Sequence, residues 1–111
     1  MKTALPLLAL LLASLATPSF AADEGSAAVD AIGRINGVAL ACQQPALVSR
    51  ARNAVIDTAP KTRNYGEIFE AATNAAYLEQ GQGKACPDLP TLRDRLGAAE
   101  KRLQAAFPPA R

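Results

Sequence analysis

Leu89, Leu92, Leu96, Ala99, Leu103 and Ala106 recur at intervals of three or four residues. A strand repeats every two residues, so this run buries a single face only as an α-helix. The rest of the chain carries the same period more weakly. Ala28, Ile32, Ile35, Ala39 and Cys42 make one stripe, and Val48, Ala51, Val55 and Thr58 a second. Tyr65, Ile68, Phe69, Ala72, Ala75 and Ala76 make a third. No segment alternates as a half-buried strand does, and none repeats another.

Turn signals separate the stripes. Pro45, after Gln43 and Gln44, suits a first helical position. Ala59-Pro60 ends the second helix, because the residue before proline is pushed out of the helical region. Gly81-Gln82-Gly83 ends the third, and Pro108-Pro109 the fourth. Helices are predicted over about 26–42, 45–58, 65–80 and 89–106, with residues 23–26 a frayed lead-in. Asn64 is the expected cap of the third helix, with Glu67 reaching back to it, and Asp88 that of the fourth. Short connections between four helices predict an all-α fold, a small antiparallel up-down-up-down four-helix bundle.

The core of that bundle must be thin. Half of the chain is hydrophobic by count, at 50%. Fourteen of those residues lie in the first 21, and beyond them 20 alanines outnumber the 17 Val, Ile, Leu and Phe residues. Gly33 and Gly37 lie four apart and share a face of the first helix. Each costs about 1 kcal/mol against alanine in a helix interior. Close approach of a neighbouring helix is the expected compensation.

Residues 1–21 read as a secretory signal peptide. Met1 and Lys2 give a positive start, Leu5 to Ala16 an apolar run, and Ser19 and Ala21 small residues before the cut. The run is about 12 residues, short of the ~20 that span a bilayer. No stable membrane insertion is therefore expected after cleavage. Residues 22–111 are expected to form a single small helical domain with loose ends. A short Leu- and Ala-rich leader suits a bacterial export route, and a periplasmic or secreted protein is expected.

Cys42 and Cys86 are the only cysteines. In an exported chain such a pair is expected to form a structural disulfide. The topology agrees, since the end of helix one and the start of helix four share one end of the bundle. The bridge closes a loop of about 44 residues, which contributes roughly 4 kcal/mol in the chain-entropy picture. The pair lacks CxxC spacing, and with no histidine and no third thiol a metal site is not expected. No cofactor is expected either.

Charge and residue types narrow the function. Twelve basic residues face ten acidic ones, scattered along the chain, so nucleic acid is not an expected partner. Without histidine the usual nucleophile–base pairs are missing, and no carboxylate pair is set across a cleft. An enzyme is not expected. The most polar stretch is Asp57 to Glu70. There Lys61, Thr62, Arg63 and Asn64 precede a helix N-terminus, whose free amides and dipole favour an anion. Tyr77 is the expected exposed aromatic.

The outline resembles that of small periplasmic chaperones and inhibitors, a likeness of architecture that carries no activity with it. The first expectation is an accessory, chaperone-like or interaction factor that binds another protein through the 57–70 turn and the exposed side of helix three. The alternative is a binding module for a small anion at Lys61, Thr62, Arg63 and Asn64. The leucine seam of helix four has two uses open to it, burial inside the bundle or pairing with a second copy as a homodimer.

Overall fold

A computed structural model of the chain describes residues 20–109. The leader proposed over 1–21 lies almost wholly outside them. Four helices follow in order: α1 (Phe20–Ala41), α2 (Pro45–Thr58), α3 (Arg63–Gln80) and α4 (Leu89–Ala106). They form an antiparallel up-down-up-down bundle. The described residues contain no strand.

α1 is the hub. It packs against each of the other three helices, α2 also meets α4, and the backbone of α3 approaches α1 alone. On one side of α1 lies the large-residue core. Val29, Ile32, Leu92, Leu96 and Leu103 are fully or almost fully buried there, with Leu47 and Ala51 of α2. The leucine seam of α4 is thus used inside the bundle. On the other side α1 and α3 run parallel and almost touch. A Cβ on Gly33 would stand 2.7 Å from the carbonyl oxygen of Phe69 and 2.8 Å from the Cβ of Ala72. One on Gly37 would stand 2.8 Å from Ala76 Cβ and 2.8 Å from Tyr77 N. The two glycines therefore set the helix spacing, as their shared face implied.

The first helix begins earlier than its sequence suggests. Residues 23–26 are helical. Glu24 accepts from the guanidinium of Arg102 in α4 at 2.9 Å, and Gly25 lies under the edge-to-face pair of Tyr65 and Phe107. These contacts come from α3 and from the end of α4, so no local signal announces them. The third helix also begins earlier than the expected start. Thr62, in extended conformation, is the N-cap and its hydroxyl accepts from Tyr65 N. Asn64 falls inside the helix. Asp88 caps α4 as expected, accepting from Thr91 N at 3.0 Å. Those bonds hold the Asp88 carboxyl below the usual carboxylate range.

Cys42 and Cys86 are joined, with Cα atoms 5.9 Å apart. The bridge ties the end of α1 to the segment that enters α4. Gln80 secures the same segment from α3, donating to the carbonyls of Lys84 and Ala85 at 3.0 and 3.1 Å.

A candidate binding groove between α2 and α3

Because α3 leans on α1 alone, its flank toward α2 is open. Two adjoining clefts lie there. One, of about 500 Å³, runs between Ser49, Arg52, Val55 and Ile56 of α2 and Gly66, Phe69 and Glu70 of α3. The other, of about 390 Å³, continues over α1 and is lined by Asn36, Leu40, Thr73, Asn74 and Tyr77. Arg52, Phe69 and Glu70 line both, so the two are one groove.

Three of its lining residues are apolar and exposed: Leu40 at 43%, Ile56 at 55% and Tyr77 at 47%. Each comes from a different helix. Scattered apolar surface residues are ordinary, but several along one concavity favour a contact surface. Arg52 and Glu70 add a cation and an anion, and among the described residues neither has an ion-pair partner.

The floor holds Asn36, only 2% exposed. Its carboxamide nitrogen donates to the Thr73 hydroxyl oxygen at 3.1 Å. That hydroxyl directs its single proton to the Phe69 carbonyl at 2.8 Å, with the Gly33 carbonyl 3.2 Å away. It can only accept from Asn36, which fixes the orientation of the carboxamide. The carbonyl oxygen Oδ1 of Asn36 is left buried without a hydrogen-bond partner. Such a group costs about 1–3 kcal/mol.

A second cleft, between α2 and α4, makes a useful contrast. It is lined by Arg50, Asn53, Asp57, Glu100 and Gln104 among others. Arg50 donates to both carboxylate oxygens of Glu100, at 2.9 and 2.7 Å, and this bonding raises the Arg50 pKa. Its arginine is paired within the protein, whereas Arg52 and Glu70 of the α2/α3 groove form no ion pair among the described residues.

The residues singled out in the sequence fall in two places. Lys61, Thr62, Arg63 and Asn64 are all exposed at the start of α3. Lys61 donates to the Ile56 carbonyl at 2.9 Å, which closes the end of α2, and Thr62 caps α3. Tyr77 lies about 20 Å further along the same helix, at ~1.5 Å per residue. It lines the far part of the groove, whereas Lys61–Asn64 lie beside the other end, at Ile56 and Gly66. Sequence reasoning missed Asn36, Arg52 and Thr73. Asn36 did carry a signal, since it lies four residues after Ile32 and three before Ala39, on a stripe that is otherwise apolar.

Among the described residues no cluster of His, Cys, Asp or Glu is arranged to hold a metal ion. No helix among them is long and apolar enough to cross a membrane. Compared with known families, curated proteins and solved structures, the chain matches none.

Proposed function

We propose that this chain is an exported, non-enzymatic accessory protein that binds a partner protein through the α2/α3 groove. The observation that carries the reading is that Leu40, Ile56 and Tyr77, exposed and apolar, line two adjoining clefts that share Arg52 and Glu70, neither ion-paired among the described residues. Interfaces favour this composition: aromatic and aliphatic anchors within a polar rim, with arginine among them. Export is supported by the leader-like residues 1–21 and by the Cys42–Cys86 bridge, which suits an oxidising compartment.

The test places a photo-crosslinking side chain at Ile56 and, as a control, at Ala98 on the exposed side of α4. Protein exported by its own host should yield one discrete adduct from position 56 and none from position 98. Tyr77→Ala and Leu40→Glu, introduced separately, should each weaken the adduct. Equal labelling from both positions would remove the groove from consideration. A saturable rise in melting temperature with phosphate or sulfate, lost in Arg63→Glu, would instead favour the anion module at Lys61–Asn64.

A further inference from the structure

Resting on that reading, we infer that the groove takes one aromatic side chain of the partner polypeptide with a hydrogen-bond donor at its tip. A tyrosine phenol and a tryptophan indole are the two that qualify. The tip donates to Oδ1 of Asn36.

Three features of the groove lead to this chemistry. The first is the acceptor. Asn36 is 2% exposed and lines the cleft, and its Oδ1 has no partner. An asparagine whose nitrogen is held by Thr73 cannot turn to relieve its oxygen without breaking that bond. Only an incoming N–H or O–H completes it. The second is the wall. Leu40, Phe69 and Tyr77 supply apolar surface to the approach beside Arg52, Glu70, Thr73 and Asn74, so a group with an apolar body and a polar tip fits it. The third is depth. Asn36 lies in the floor, while Leu40 and Tyr77 stand half exposed beside it. A serine or threonine hydroxyl is too short to reach past them. A lysine ammonium is drawn to Glu70, which lines the same cleft, rather than to a neutral amide oxygen sealed from water. A phenol or indole offers an apolar body and a polar tip. Oδ1 itself is sealed from solvent, so binding requires the side chains beside it to move aside.

The test uses the oxidised exported chain, labelled with ¹⁵N, and four probes: the N-acetyl amides of tyrosine, tryptophan, phenylalanine and lysine. The Asn36 carboxamide resonance and the amides of Thr73 and Tyr77 are followed by NMR. Tyrosine and tryptophan amides should shift them saturably, about threefold to tenfold tighter than phenylalanine amide, the increment of one neutral hydrogen bond. Asn36→Leu should abolish the preference for tyrosine over phenylalanine, and because it also removes the bond from Asn36 to Thr73, its fold is checked by its melting temperature. Should that variant fail to fold, the comparison of tyrosine with phenylalanine in the unaltered protein decides alone. Equal affinity for those two overturns the inference, as do tightest binding of the lysine amide and absence of any shift at tens of millimolar. The groove reading fails by a different result, equal crosslinking from Ile56 and Ala98.

Discussion

α1 faces two neighbourhoods that are packed by opposite means. Toward α2 and α4 it buries Val29 and Ile32 among Leu47, Leu92, Leu96 and Leu103. Toward α3 it presents Gly33 and Gly37, which bring its backbone against that of its neighbour. The first side is held by area removed from water. The second removes little large apolar area and relies on close van der Waals contact, with Thr73 and Asn36 as a polar tie across it. A chain with many alanines and few leucines can build one generous core but not two. The difference also explains the groove. A helix attached along a single narrow seam leaves its flanks uncovered, and Leu40, Ile56 and Tyr77 line the opening on the α2 side, while the exposed Leu78 lies outside it.

The largest expected effect is on the leucine side. Leu96 is fully buried, and Leu96→Ala should cost about 2–5 kcal/mol in urea unfolding. In a protein of this size that is a large share of the total. A cost under ~1 kcal/mol would show that α4 is not part of the main core. Breaking the bridge comes next. Cys42→Ser with Cys86→Ser should cost roughly 4 kcal/mol by the loop-closure argument, less if the unfolded chain stays compact. The bridge joins α1 to the entry of α4, so its loss should be felt more by the leucine side than by the glycine seam. Hydrogen exchange in the two mutants, helix by helix, reads that directly.

The glycine side reverses the usual sign. Alanine is a better helix former than glycine by about 1 kcal/mol, yet Gly37→Ala should destabilise by about 1–3 kcal/mol. Its Cβ would lie 2.8 Å from Tyr77 N, a backbone atom that cannot move without moving α3. Gly66, also helical, has nothing within 4 Å of such a Cβ. Gly66→Ala should therefore stabilise, by up to ~1 kcal/mol. If both substitutions stabilise, the seam is looser than described and α3 is held by other contacts.

How much of this was legible depends on how local each cause is. α2 and the start of α4 were placed correctly because Pro45, Pro60, Asp88 and Pro90 act within a few residues of themselves. The start of α3 was not, since Thr62 and Asn64 are both competent caps and only the extended backbone at Thr62 separates them. Residues 23–26 looked frayed because their supports, Arg102, Tyr65 and Phe107, are distant in sequence. The close use of Gly33 and Gly37 was visible in their spacing, but not which helix they would meet. The groove was invisible for the same reason. It exists because α3 meets α1 and not α2, a fact of assembly that no single stripe contains. Ala75, counted in the buried stripe of α3, is exposed, as a helix with one narrow contact requires.

Acid should separate the two neighbourhoods most gently. The carboxyl groups of Asp88 and Glu24 are both held below their ordinary range, the first by its bonds to Thr91 and the second by Arg102. Both support α4: one caps its start and the other ties Arg102, near its end, to α1. A depressed pKa in the folded state adds stability that is complete above the unfolded value and is lost as pH falls through the folded one. Lowering the pH from neutrality should therefore leave the protein unchanged until below the usual carboxylate range, and then loosen the two ends of α4. α3 is capped by the Thr62 hydroxyl and tied to α1 by Thr73 and Asn36, none of which titrates. Its amides opposite Gly33 and Gly37 should keep their exchange protection through that interval. Loss of protection in α3 before α4 would mean that the glycine seam, and not the leucine core, is the weaker half.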